Sequence, residues 1–178
     1  GNPIFIRTGC RHTGTVTPQL KNITIKNVYA EVPYTKPDAG YNYEGPVEDL
    51  PRNVCPSIIF GVPGIRIENV KMQNMEIVYP GKANAYYARR DWTPEALDAI
   101  PDLEKSYPEF SNWKELPAWG FFIRHADGIE FDNVTLRVLG KDYRPAIVSD
   151  DVKVLTLKGV KIIQENAEGK QQIICNNT

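Results

Sequence analysis

The fold is decided by a stretch that reads Leu20-Lys21-Asn22-Ile23-Thr24-Ile25-Lys26-Asn27-Val28. Apolar and polar residues alternate along it, which is the period of a β-strand and not of a helix. Three later stretches repeat the template of alternating apolar residues with Asn or Gly near the end: residues 67–75, 131–139 and 152–160. Such repetition is typical of a solenoid, whose repeats stack on one another. We expect Asn22, Asn69 and Asn133 to share one register and to hydrogen-bond one another at the bends.

A second type of short apolar strand precedes each repeat, and a fifth copy follows the last one. These strands are residues 4–7, 57–60, 120–124, 146–148 and 172–175. Their first two intervals are more than twice as long as the last two, so we expect inserted loops near residues 31–55 and 80–118. In the second insertion, Thr93 can cap a short helix with Pro94 at its first position.

The sequence therefore predicts an all-β fold, namely a right-handed parallel β-helix of about five coils with two long loop insertions. Residues 1–178 would form one such domain. A β-sandwich also has short alternating strands, but its turns recur every 8–12 residues and its strands would not repeat a register. A leucine-rich repeat demands a fixed leucine framework, which this chain lacks.

Composition narrows the possible partners. A net charge of -1 gives no electrostatic reason to expect nucleic acid or an anionic membrane as a partner. No run of 18 apolar residues is present, so no membrane-spanning helix is expected. The three cysteines, Cys10, Cys55 and Cys175, lie far apart and without histidines at metal-ligand spacing, so we interpret them as buried or incidental thiols. We expect neither a metal nor a cofactor.

The chain resembles the C-terminal half of the bacterial family 28 glycoside hydrolases, the polygalacturonase group. The resemblance rests on overall pattern across nearly the whole chain, including the stretches at residues 2–7, 62–64, 107–109, 116–125 and 144–152. It implies a secreted or periplasmic enzyme that hydrolyses pectic, galacturonate-containing polysaccharide with inversion. One carboxylic acid would protonate the leaving oxygen while a second carboxylate activates water.

Of the family's motifs, in chain order Asn-Thr-Asp, Asp-Asp, Gly-His-Gly and Arg-Ile-Lys, only the last has a candidate here. Phe5-Ile6-Arg7 stands in its place, with Phe5 instead of Arg and Arg7 instead of Lys. The resemblance implies that Arg7 grips a substrate carboxylate. We assign no catalytic residue, and we expect the natural N-terminus and the catalytic carboxylates to lie upstream.

Five further residues are candidates for substrate binding. Arg11 and His12 follow the first short strand and could line the mouth of the cleft. Arg124 and His125 end a strand of the same type, although an ion pair to the inserted loop explains Arg124 equally well. Tyr41 lies in the first insertion, where the family often has a tyrosine. The pair Asp150-Asp151 resembles the family's Asp-Asp motif, but it follows Arg7 in the chain, and we interpret it as a solvated bend.

Three functions remain open. The first is a glycosidase fragment, itself inactive or nearly so because it lacks an acid/base pair. The second is a non-catalytic β-helix module that binds carbohydrate or has a structural role. The third is a polysaccharide lyase, which would require Ca²⁺ and a basic residue. An uncapped β-helix exposes unpaired strand edges, so we expect self-association through the N-terminal coil.

Overall fold

A computed structural model describes residues 2–33, 55–83, 91–113, 115–165 and 170–178. About half of these residues are in strands and very few are in helices. The elements are β1 (Phe5–Arg7), β2 (Lys21–Glu31), β3 (Ser57–Phe60), β4 (Ile67–Tyr79), α1 (Pro94–Asp98), a 3₁₀-helix (Phe110–Trp113), β5 (Phe121–Val138), β6 (Ile147–Lys158), β7 (Lys161–Gln164) and β8 (Ile173–Asn176). The predicted β class is confirmed at this level: the strands form a curled parallel sheet.

The short strands pair with one another in a first ladder, in the order β1, β3, β5, β6 and β8. Every pairing in this ladder is parallel. Its register places five apolar residues side by side: Phe5, Ile58, Phe122, Val148 and Ile174. The prediction that these five short strands stack on their equivalents is therefore confirmed.

The repeated stretches form a second ladder, in which β4 lies between β2 and the later part of β5, and β6 and β7 follow on β5. Four apolar residues share one register and fill the inner core: Ile25, Met72, Phe131 and Leu157. Because β5 and β6 run through both ladders, the sheet must bend between them. The bends lie at residues with positive φ, which Asn and Gly adopt at the lowest cost.

The predicted asparagine register is wrong at one position. Asn69 donates to Asn22 at 3.1 Å, as expected, but Asn133 donates to Asn74 at 3.0 Å and not to Asn69. The neighbour of Asn69 on β5 is Gly128. A Cβ at Gly128 would lie 2.8 Å from the Asn69 side-chain oxygen, so glycine is needed there.

The reason for this error is that each repeated strand contains two bends five residues apart. Asn22 and Asn27 are the two bends of β2, and both have a φ near 60°. A template with two similar bends can be aligned at either one of them. The sequence comparison matched Asn133 to the first bend, whereas it belongs to the second.

The described part of the second insertion packs on the outer face of the first ladder. Residues 97–118 supply Leu97, Ile100, Trp113 and Leu116 to an outer apolar layer that covers Ile58, Phe60, Phe122 and Val148. Helix α1 begins as predicted, because the Thr93 hydroxyl accepts a hydrogen bond from the Ala96 amide and Pro94 opens the first turn. Most of the first insertion lies outside the described residues.

Candidate functional site

A row of side chains lies on the outer face of the first ladder, at the end just before the bends at His125 and Asp151. Side chains alternate across a strand, and the residues just before the row on β3 and β5 belong to the inner core, so the row projects outward. The register places its members side by side: Arg7, Phe60, Arg124, Asp150 and Asn176. Two of the six residues predicted to bind substrate, Arg7 and Arg124, therefore share one row.

Arg124 is buried within this row and has acceptors on two sides. Its Nε lies 2.9 Å from Asp150 Oδ2, and its Nη1 donates to the Ile100 carbonyl at 2.6 Å. Asn176 donates to the other Asp150 oxygen at 2.7 Å. Both charges are almost entirely removed from water, so each depends on the other for compensation.

His125 lies between two carboxylates. Its Nδ1 is 2.7 Å from Asp151 Oδ2, and its Nε2 is 3.2 Å from Asp102 Oδ1. An ionised carboxylate only accepts hydrogen bonds, so both contacts are made at once when both ring nitrogens carry hydrogen. His125 therefore joins the sheet to the inserted loop, which contributes Asp102.

Asp151 also binds Arg66, whose Nη1 donates to Oδ2 at 2.8 Å. Burial alone would raise the pKa of Asp151, but the hydrogen bonds and charges of His125 and Arg66 outweigh it. The pKa of Asp151 therefore lies below its ordinary value, and the carboxylate is ionised at neutral pH.

This cluster does not have the geometry of an inverting hydrolase. Such an enzyme keeps its two carboxyl groups apart so that a sugar and a water molecule fit between them. Here the imidazole of His125 occupies the space between Asp102 and Asp151. We therefore assign these carboxylates to holding the inserted loop on the sheet.

Arg7 lies under the inserted loop. Its Nη2 donates to the Leu103 carbonyl at 2.6 Å, and its guanidinium stands over the Trp113 ring, 5.1 Å from the centroid. Burial lowers the pKa of Arg7, although arginine stays charged at any physiological pH. One guanidinium nitrogen, Nη1, is buried without a hydrogen-bond partner among the described residues. A substrate contact by Arg7 stays a prediction.

Arg11 and His12 are exposed, in the turn after β1. The Arg11 guanidinium stands over the Tyr107 ring, 4.9 Å from the centroid. The His12 carbonyl accepts from the Thr15 hydroxyl at 2.9 Å. The structure therefore places these two candidates on a surface bordered by the inserted loop. Tyr41 lies outside the described residues.

The interpretation of Asp150-Asp151 as a solvated bend is wrong for Asp150. Asp150 belongs to β6 and is only 2% exposed, because it faces Arg124. Asp151 does lie at a bend, with a φ of 51°, but it is bound by His125 and Arg66. No local pattern indicates these partners, which come from other segments of the chain.

Two members of the cluster, Asp102 and Arg66, were not among the sequence candidates. Asp102 lies in the inserted loop after α1, and Arg66 lies just before β4. The packing of the loop on the sheet brings Asp102 to His125, whereas Arg66 reaches Asp151 from the segment before β4. An acidic residue in an aromatic-rich insertion is too common a feature to have indicated this contact.

In the part of the chain that the structure describes, no group of three or more His, Cys, Asp or Glu side chains could hold a metal ion. None of the helices in that part is long and apolar enough to cross a membrane. Comparison with known proteins found no matching family model, no matching curated protein and no matching solved structure.

Proposed function

We propose that this chain is the C-terminal part of a right-handed parallel β-helix in a glycoside hydrolase similar to family 28, which cleaves pectic polysaccharide with inversion. In this proposal the described residues form one wall of the substrate cleft. The catalytic carboxylates belong to preceding coils of the same enzyme, which acts outside the cytoplasm, in the periplasm or after secretion.

The β-helix is supported by the order of the strands along the chain. In the first ladder, β1 and β3 are followed by β2 and β4 of the second, β5 and β6 each run through both ladders, and all pairings in both ladders are parallel. A chain that visits two parallel ladders in turn must wind around a common core. The inner core runs continuously from Ile4 to Ile173 and contains side chains from both ladders.

The observation that supports the sugar-binding role is the position of Arg7 in the outer row, a few residues before the exposed Arg11, whereas Arg124 of the same row is buried against Asp150. The row lies at the end of the first ladder that precedes the bends, beside the inserted loop. Guanidinium groups are the side chains best suited to the carboxylate of a galacturonate unit, because they donate two parallel hydrogen bonds to it. Arg11 lies near the start of the same row, on an exposed surface.

The test uses the complete natural polypeptide and polygalacturonate. We expect new reducing ends, a product whose anomeric configuration is inverted by NMR, and no unsaturated sugar. Residues 1–178 alone should bind oligogalacturonate without cleaving it. The Ile59→Asp variant, which places a charge in the inner core, controls for contaminating pectinases because it should unfold the ladder.

Two results would contradict this proposal. An unsaturated product that absorbs in the ultraviolet would indicate a lyase. Binding without cleavage by the complete polypeptide would indicate a non-catalytic module. The coding sequence upstream is an independent check, because it should encode the Asp-Asp and Gly-His-Gly motifs.

A further inference from the structure

Arg11 differs from the other arginines that the structure describes. Every other one engages a backbone carbonyl or a carboxylate: Arg7, Arg66, Arg124, Arg137 and Arg144. Arg11 has no such acceptor among the described residues. Its only described side-chain contact is the ring of Tyr107, which is itself 60% exposed. The guanidinium therefore stands over the ring while the residue stays exposed.

The two loops that carry this pair are fixed to each other at Glu104. The Glu104 carbonyl accepts from the Cys10 amide at 2.9 Å, next to Arg11. The Glu104 side chain accepts from the Thr17 hydroxyl. The Tyr107 carbonyl in turn accepts from the Asn112 side chain at 2.7 Å. These bonds fix the backbone of the two loops, and with it the spacing of Arg11 and Tyr107, before any ligand arrives.

We propose that Arg11 and Tyr107 form a subsite for the carboxylate of an acidic sugar unit, separate from the row that contains Arg7. This proposal rests on the proposed pectic function and adds the residues that recognise uronate. The edge of the Arg11 guanidinium donates two hydrogen bonds to the sugar carboxylate. The guanidinium stands over the ring of Tyr107 and stays exposed, and the Tyr107 hydroxyl is available to a sugar hydroxyl.

The pre-formed pair explains why a carboxylate would be preferred to a neutral sugar. A charge-assisted, bidentate contact discriminates strongly against a ligand that lacks the second charge. Because Arg11 is already held over the ring, little side-chain freedom is lost when the ligand binds. The subsite should therefore distinguish galacturonate from its methyl ester.

The experiment measures the Kd of residues 1–178 for trigalacturonate and for its methyl ester by calorimetry. We expect Arg11→Gln and Tyr107→Ala each to raise the Kd for trigalacturonate about tenfold. The control is Arg137→Gln, which removes the same charge from a guanidinium paired with Glu76 on the second ladder. That variant should bind as the wild type does. Esterification should weaken wild-type binding by a larger factor than it weakens binding by Arg11→Gln, because the variant has already lost one of the carboxylate contacts.

A trimannuronate ligand, which bears the same carboxylate on another sugar, separates the two proposals. Arg11-dependent binding of trimannuronate without binding of trigalacturonate would retain the subsite and overturn the pectic function. Trigalacturonate binding that is equal in wild type and Arg11→Gln would overturn the subsite and retain the pectic function. Absence of binding to all three ligands would overturn both.

Discussion

Two arginines of the outer row hold the inserted loop at neighbouring points. Arg7 donates to the Leu103 carbonyl and Arg124 to the Ile100 carbonyl, three residues away. Each guanidinium also stands over an aromatic ring, Trp113 for Arg7 and Phe60 for Arg124. Any role in binding sugar must therefore coexist with a role in fixing the loop.

Removal of the Arg124 charge should strongly destabilise the protein. In Arg124→Met, Asp150 stays buried with only the Asn176 amide to compensate its charge, so we expect a loss of about 3 kcal/mol in the free energy of unfolding. Urea denaturation measures this loss. The double variant Arg124→Met/Asp150→Leu should recover much of it, because it leaves no uncompensated charge. A loss below about 1 kcal/mol in the single variant would mean that the pair behaves as an exposed one.

The Asp151 carboxylate should make the free energy of unfolding depend on pH in the acidic range. Its pKa is lowered in the folded protein, because the carboxylate contacts His125 and Arg66. Asp102 lies on the far side of the imidazole. The stabilisation is therefore present above the ordinary carboxyl pKa of about 4 and is lost as pH falls through the lower folded pKa. We expect wild type to be more stable than Asp151→Asn at neutral pH, and this difference to shrink below about pH 4.

Urea midpoints across the acid range measure that difference. The control is Asp98→Asn, which neutralises an exposed carboxylate at the end of α1 and should not change the slope with pH. A constant difference between wild type and Asp151→Asn at all pH values would contradict the prediction, because it would show that the carboxyl charge contributes nothing.

At the scale of the elements, two columns of bends shape the second ladder. One contains Asn22, Asn69, Gly128 and Val154, and the other contains Asn27, Asn74, Asn133 and Gly159. All eight residues have positive φ. Asparagine both adopts this conformation and hydrogen-bonds the next asparagine in its column, whereas glycine only adopts the conformation. Val154 is the exception, and nothing in the structure explains a β-branched residue there.

Asn74 allows these two contributions to be separated. It donates to Asn27 and accepts from Asn133, with a φ of 52°. Asn74→Ala should lower the free energy of unfolding by about 2 kcal/mol, because alanine is strained at this positive φ and the hydrogen bonds are lost. Asn74→Gly should lower the free energy of unfolding by only about 1 kcal/mol, because the hydrogen bonds are lost but glycine adopts the positive φ without strain. Equal losses in chemical denaturation would mean that the positive φ carries no strain for alanine.

At the scale of the whole molecule, the described sheet has an open edge. β1 pairs only with β3, and β2 pairs only with β4, among the described strands. Several apolar side chains of β2, including Ile23, Ile25 and Val28, are only partly buried against the core. A parallel edge with apolar side chains favours pairing with another chain.

We therefore expect residues 1–178 to self-associate at micromolar concentration through this edge. Thr24→Lys adds a charge to the exposed face of β2 and should shift the protein toward monomer. Leu139→Lys is the control, because Leu139 is also exposed but lies just beyond β5 and away from this edge. Light scattering measures the mass. A monomeric wild type, or an equal effect of both substitutions, would contradict this prediction.

The sequence by itself determined the strands, because side-chain alternation is a local property that each segment carries alone. It also determined the pairing of the five short strands and the start of α1 at Thr93. Only the tertiary structure decided the register of Asn133, since each long strand contains two bends that look alike. It also decided the surroundings of Asp150, Asp151 and His125. Their partners Arg124, Asp102 and Arg66 come from separate strands and a loop, and the packing of that loop on the sheet is a contact between distant segments that no local pattern encodes.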